Sequence, residues 1–370
     1  MKKLNVSLVR ARNIVEITNA IAEHEGISRA EIAERASVSV MTVSNIMEVL
    51  LRNGAVYETE RRTENVGRNP ALVYFSRTKW MMVLDLTELN FSCNFMSLEL
   101  APFDVLNYTF DNAVPYAENL ERFLRQMQTR GEDLNLRSGE CLGISVCLPS
   151  VYKAESDSTD CLRIPALSQI PIKATIRKFF DCTVIASADA LLAGIACNEE
   201  LKQYAPYSLL YLSIGKTVRG ALVHEGNVVM GTDGYAGDLG QMVLSCGERL
   251  ESRLLRLYGE LEKLAESKQI KIEALWEDPD AADTLNSYVN SLGAALYNAV
   301  CVFSPRGIVL DGQCVNLGSR LTRRLTDYIH PRIVPENRRK PDVIIHSYPV
   351  SNAITGAGIR LREKWIKEMS

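Results

Sequence analysis

Ser39, Thr42, Ser44 and Asn45 set four short hydrogen-bonding side chains within a single seven-residue stretch, with Met41 among them. On a helix they would crowd the first two turns, where such groups can reach phosphates and base edges. Arginines flank this stretch in the sequence. Arg29, Arg61 and Arg62 are candidate phosphate contacts on charge alone, although the ordinary fate of an arginine is a solvated surface position. Arg68 and Asn69 belong to a polar, basic turn, Arg62-Thr-Glu-Asn-Val-Gly67-Arg68-Asn69-Pro70. An arginine at a hairpin tip can enter a minor groove, whose narrow width concentrates negative potential. This is the chemistry of recognising a duplex, not of making bonds.

Metal chemistry finds little support. The chain has nine cysteines, an odd number with no Cys-x-x-Cys spacing. They read as reduced thiols in a cytoplasmic protein rather than a disulfide framework. Cys141 and Cys147 lie in an apolar run and read as small core residues. The four histidines, His24, His224, His330 and His346, stand far apart with no ligand spacing.

The elements that must position the polar stretch can be read around it. Ser28 with Glu31 three residues on is a capping box, in which each side chain satisfies an orphan N–H of the first turn. Ile32, Ala33 and Ala36 give that short helix a small apolar face. Ala36-Ser37-Val38 makes a turn, and Ser39 caps a second helix from Val40 to about Arg52. Its buried face is Val43, Ile46, Met47, Leu50 and Leu51, and Gly54 ends it. A helix from Val9 to about Glu25 precedes the pair, with Ile14, Ile17, Ala20 and Ile21 as its core stripe. Strands at 55–61 and 71–75 follow and enclose the basic turn. Three helices and a β-hairpin make a winged helix-turn-helix. Its expected partner is double-stranded DNA; a protein-interaction winged helix is the rival.

Composition agrees with a soluble, multidomain protein. The 370 residues are 24% charged and 46% hydrophobic, enough for two or three domains. No apolar run approaches the roughly 20 residues of a membrane span, and no signal-peptide h-region is visible. The net charge of −3 conceals an asymmetry: residues 1–79 carry 12 basic and 9 acidic side chains, and the rest carries 30 and 36. A mildly basic head on an acidic body suits a phosphate-facing head.

From residue 80 the chain alternates strands and helices after an opening meander, which argues for α/β layering. Strands are expected at 80–86, 90–100, 141–148, 183–186, 207–214, 220–224 and 307–310, with a turn at 87–89. Helices are expected at 117–128, 190–198, 250–266 and 281–303. The apolar stretch Asn286–Phe303 reads as core, with an oligomer surface as the alternative.

The motifs Ser28-Arg-Ala-Glu-Ile-Ala, Thr42-Val-Ser44 and Gly67-Arg68-Asn69-Pro70 resemble the heads of transcriptional regulators in the ROK family (repressors, open reading frames, kinases). The body carries Ala188-Asp189-Ala190, Gly231-Thr-Asp-Gly-Tyr-Ala-Gly237-Asp238-Leu-Gly240-Gln241, Ile308-Val-Leu-Asp311-Gly312 and Thr355-Gly-Ala-Gly358. These are similar to segments of ROK sugar kinases. The resemblance covers nearly the whole chain and implies two domains: residues 1–79, the winged helix-turn-helix, and residues 80–370, a two-lobe actin-like ATPase/sugar-kinase body. It implies Arg68 as a minor-groove residue, with Thr42, Ser44 and Asn45 on the recognition helix. It also implies ligand-binding roles for Asp189 at the catalytic-base position, Asp238 and Glu251 as the sugar-binding acids, and Gln241 in place of a histidine. Asp189 has a plainer reading as the cap of the helix at Ala190.

Departures from the family pattern set the expected function. Asp85-Leu86-Thr87-Glu88-Leu89 stands where the kinases have Asp-Leu-Gly-Gly-Thr, so a carboxylate replaces phosphate-binding backbone. Gly215-Lys216-Thr217-Val218-Arg219 stands for a second glycine-rich loop that has lost two glycines. Cys246-Gly-Glu-Arg-Leu-Glu251 looks like a shortened zinc loop, leaving Gln241 and Cys246 in place of a full ligand set. The expectation is therefore a non-enzymatic regulator, most simply a repressor, without metal or cofactor. It would bind DNA as a homodimer or homotetramer and sense a sugar or related effector through lobe closure. The rivals are a ROK sugar kinase with an added head and a ligand-independent DNA-binding oligomer.

Overall fold

The computed structural model describes residues 6–24, 26–60, 71–346 and 351–369. The chain forms two compact units, one of Met1–Ser187 with Ala357–Ser370, the other of Ala188–Gly356. The expected boundary after residue 79 falls inside the first unit.

The head opens with α1 (Val6–Ala22), which begins and ends about three residues earlier than its apolar stripe suggests. A two-residue strand β1 (Ile27–Ser28), α2 (Arg29–Arg35) and α3 (Val40–Arg52) follow, then β2 (Val56–Glu60) and β3 (Ala71–Phe75). Gly26 turns the chain into β1 at φ 77°, and a Cβ there would meet the Tyr74 hydroxyl at 2.4 Å, so only glycine fits. The strand order is β1-β3-β2, all antiparallel, with Glu60 opposite Ala71. Ile14, Ile17, Ile32, Val43, Ile46, Met47, Leu50 and Val73 are buried together as the core of a winged helix-turn-helix.

The first unit continues with β4 (Trp80–Asp85), β5 (Phe91–Ser97), β6 (Pro102–Tyr108), α4 (Tyr116–Asp133) and β7 (Cys141–Leu148). A small hairpin, β8 (Tyr152–Lys153) and β9 (Ser158–Thr159), leads to α5 (Ile172–Arg177) and β10 (Val184–Ala188). The five-stranded sheet runs β10-β7-β4-β5-β6. β5 is antiparallel to β4 and β7 parallel to it. The meander expected from the sequence is present, and β6 extends it as an edge strand whose residues alternate between half-buried and exposed. That half-wet pattern, begun by a proline, is a weak sequence signal.

The second unit repeats the plan. It contains α6 (Asp189–Glu200), β11 (Ser208–Ile214), β12 (Val218–His224), β13 (Asn227–Val229), α7 (Leu250–Lys268), α8 (Ala282–Phe303), β14 (Gly307–Gly312), α9 (Ser319–Ile329) and β15 (Asp342–Ile345). Its sheet runs β13-β12-β11-β14-β15, with β11, β14 and β15 parallel. Leu285, Tyr288, Leu292, Leu296 and Val300 bury one face of α8 against α7 and the sheet, as expected of a core helix. A last helix, α10 (Asn352–Glu368), starts in the second unit and ends in the first. Among the described residues no helix is long and apolar enough to cross a membrane.

Candidate functional site

The head presents its polar stretch as expected. The Ser28 side chain accepts from the Glu31 N–H at 3.3 Å, and the Glu31 carboxylate accepts from the Ser28 N–H at 2.9 Å, completing the capping box. Ser39 caps α3 by accepting from the Thr42 N–H at 3.1 Å, and the two hydroxyls lie 2.8 Å apart. Ser39 and Thr42 therefore hold the helix start as well as face solvent. Asn45 is exposed and Ser44 half-buried on the same side. Val40 and Met41, 53% and 74% exposed, give that surface an apolar tip.

The arginines divide. The Arg29 guanidinium grips Glu58 of β2 with both arms, Nε to Oε1 at 2.7 Å and Nη2 to Oε2 at 3.0 Å. The pair ties α2 to β2, and Glu58 holds the arginine's pKa above its ordinary value. Arg61, Arg62, Arg68 and Asn69 lie outside the described residues. β2 and β3 fix only where their ten-residue connection begins and ends.

In the first unit the loop after β4 is closed by its own side chains. Asp85 Oδ1 accepts from the Thr87 N–H at 2.9 Å and the Thr87 hydroxyl at 2.6 Å. Glu88 pairs with Arg163 at 2.8 Å, and Arg163 also donates to the Thr87 carbonyl. Carboxylates and an arginine occupy the turn where phosphate-binding backbone was missed in the sequence.

In the second unit Asp189 is the first residue of α6, not its cap, which is Ala188. Its Oδ1 accepts from the Ala190 N–H at 2.7 Å, and its Oδ2 pairs with Arg219 of β12 at 2.5 Å. Both side chains are largely buried. A cavity of about 290 Å³ opens beside this pair, lined also by Tyr211, Ser213, Asp311 and Asn352. Asp311 is held by three donors: the Tyr211 hydroxyl at 2.7 Å, the Gly312 N–H at 2.6 Å and the Asn352 amide.

The other three expected ligand residues sit elsewhere in this unit and do not line that cavity. Glu251 accepts from the Val218 N–H at 2.8 Å, anchoring α7 to the start of β12. The exposed Gln241 accepts from Arg249 at 2.9 Å. Asp238 is half-buried; desolvation, and then the nearby Glu251 charge, raise its pKa, while Arg219 opposes them. The glycines of this signature have a packing role: a Cβ on Gly240 would sit 2.1 Å from the Val218 carbonyl oxygen, and one on Gly220 2.6 Å from that of Gly237. Arg219 is the cavity-lining residue that the sequence reading under-weighted. In the sequence it stands at a replaced glycine of the second loop, as a side chain that could attract phosphate; its facing Asp189 depends on how α6 packs against β12.

The sequence model of the ROK family matches residues 115–364. The xylose repressor of Caldicellulosiruptor bescii is 21% identical over 369 residues, covering 89% of this chain and 90% of that one. Among solved structures, a ROK family transcriptional regulator described as a homolog of the Escherichia coli MLC protein superposes with a TM-score of 0.75 at 17% identity, over 98% of this chain and 97% of the other. The ROK hexokinase of Thermus thermophilus superposes with a TM-score of 0.59 at 18% identity, over 76% of this chain and 97% of its own. These likenesses establish the two-lobe sugar-kinase fold of the body.

Proposed function

The chain belongs to the ROK family, and on that premise we propose that it is a DNA-binding transcriptional repressor whose kinase-like body senses a sugar or related small molecule without transferring phosphate. The observation that carries this reading is the Asp189–Arg219 ion pair. A general base must meet the hydroxyl proton it removes, and here the residue at that position is engaged by an arginine and by its own helix. Glu88 and Arg163 fill the companion loop in the same manner. The relative named as a xylose repressor supports the regulatory reading over nine-tenths of its length.

The DNA contact would be made by the exposed start of α3, Ser39 to Asn45, together with the arginines in the sequence that joins β2 to β3. Paired heads in a homo-oligomer would meet half-sites about one helical turn or a multiple apart. An effector that binds the body more tightly in one head spacing than in another shifts the population toward that spacing and changes operator affinity. The test is a gel-shift assay of the full chain on the DNA upstream of its own gene, with and without a panel of sugars. An Asn45→Ala variant and an ATP-turnover assay on the same panel accompany it. Retarded DNA that Asn45→Ala weakens and one sugar modulates supports the proposal. ATP consumption dependent on a sugar would establish the kinase reading instead.

A further inference from the structure

Cys141 and Cys182 meet in one cavity of the first unit. It holds about 430 Å³ and is walled by Trp80, Met127, Phe179 and Phe180, with both cysteines on its lining. β10 lies beside β7 in the sheet, and the Ile144 N–H donates to the Thr183 carbonyl at 2.8 Å. Cys182 therefore enters β10 next to the start of β7. Their meeting depends on a shift of register. From Cys141 to Ile144 β7 advances three residues, while β4 advances two, from Trp80 to Met82. The extra residue reverses the alternation of side chains at the start of β7. Gly143 absorbs it at φ 141°, where a Cβ would lie 2.4 Å from the Thr183 carbonyl oxygen.

The two thiols share a hydrogen bond, donated by Cys141. That bond lowers the Cys182 pKa, with help from Arg177, against burial and the Asp181 charge. The same bond, and then burial, raise that of Cys141. Cys182 is therefore the sulfur that keeps more thiolate, the nucleophilic form. Both side chains are half-buried, so neither is sealed from solvent. Neighbouring strands stand about 4.8 Å apart, inside the Cα separation of about 4.4–6.8 Å that a disulfide spans. The cavity lies within the usual range of small-molecule pockets, about 300–1,000 Å³. Five other cysteines are buried, and Cys246 and Cys301 are exposed.

We propose that Cys141 and Cys182 form a thiol–disulfide exchange site whose substrate is a low-molecular-weight disulfide. The Cys182 thiolate attacks one sulfur of that disulfide, forming a mixed disulfide and releasing one small thiolate. Cys141 gives its proton to solvent and attacks Cys182 Sγ, which closes the intrachain disulfide and releases the second small thiolate. The protein loses two electrons and two protons, and the small disulfide gains them as two thiols. Excess small thiol reverses both steps, so the bond is a transient mark and not a structural staple.

The test treats the reduced full chain with oxidised glutathione, quenches free thiols by alkylation and maps the peptides by mass. The expected product joins Cys141 to Cys182 with the loss of two hydrogens, and dithiothreitol restores both thiols. Cys141→Ser removes the resolving sulfur and should trap glutathione on Cys182, whereas Cys182→Ser should leave Cys141 a free thiol. In the untreated protein iodoacetamide should alkylate Cys182 at least about tenfold faster than Cys141; the reverse order overturns the assignment of the attacking sulfur. Glutathione on Cys246 and Cys301 while Cys141 and Cys182 stay free overturns the site. So does glutathione carried separately on both cysteines with no bond between them. Should a serine variant fail to fold, the wild-type peptide map alone decides between these outcomes.

Discussion

The Arg29–Glu58 pair separates a structural arginine from a phosphate-binding one. If Arg29 ties α2 to the wing, a double-mutant cycle with Arg29→Ala and Glu58→Ala should reveal coupling between the two residues. The guanidinium is one-third exposed and the carboxylate about one-quarter, and both arms of the fork are engaged, at 2.7 and 3.0 Å. An exposed pair is worth about 0.2–1 kcal/mol, and a bidentate, partly shielded one lies at or slightly above the top of that range. A coupling energy of about 1 kcal/mol is therefore expected, read as the non-additivity of urea midpoints. Arg29→Lys should recover little of it, because an ammonium cannot bridge both oxygens. The second readout is the salt dependence of DNA binding. A phosphate contact adds about 0.9 to the slope of log K against log salt, so Arg29→Ala should leave the slope unchanged once binding is measured on folded protein. A slope reduced by about 0.9 for each head engaged, together with additive urea midpoints, would refute the argument and return Arg29 to the DNA interface.

Three further outcomes follow from the packing. Gly240→Ala should destabilise the second unit by more than about 2 kcal/mol, since its Cβ would sit 2.1 Å from a backbone oxygen that cannot swing away; a melting temperature within a degree of the parent's would contradict that. Arg362 is 2% exposed and donates to the Leu98 carbonyl at 3.0 Å and to Asn19 at 2.9 Å. Arg362→Ala strands both acceptors and should cost about 3 kcal/mol in a denaturant titration. Asp238→Asn should stabilise the protein at neutral pH. The folded state raises this carboxyl's pKa through burial and Glu251, so wild-type stability is lost as pH rises through that pKa. The advantage of the amide should vanish below about pH 3.9, where Asp238 is protonated in both states; a pH-independent difference would place its cause in packing.

Much of the fold was legible because it rests on local rules. The capping box at Ser28, the Ser39 cap and the apolar spacing of Val43, Ile46, Met47 and Leu50 each act within one or two turns, and the structure has all three. β12 and β13 are joined by a two-residue hairpin turn at Glu225-Gly226 with both residues at positive φ, the geometry that matches strand twist. β6 and α10 were not legible. β6 is a half-exposed edge, and α10 carries Gly356 within it because a Cβ there would lie 1.8 Å from the Leu192 carbonyl oxygen; helix propensity alone counts that glycine as a breaker.

The sequence by itself determined the elements: periodicity and caps set the helices, alternation set the strands, and the family resemblance marked two loops that lack the kinases' glycines. Only the tertiary structure decided what the charged side chains do. Arg29 pairs with Glu58; Asp189 could have capped a helix and met Arg219; Asn352 closed on Asp311 from 41 residues away. Composition records that such charges exist, but their partners are chosen by which strands and helices pack together. A buried charge or amide takes the complementary group that packing brings within hydrogen-bond reach.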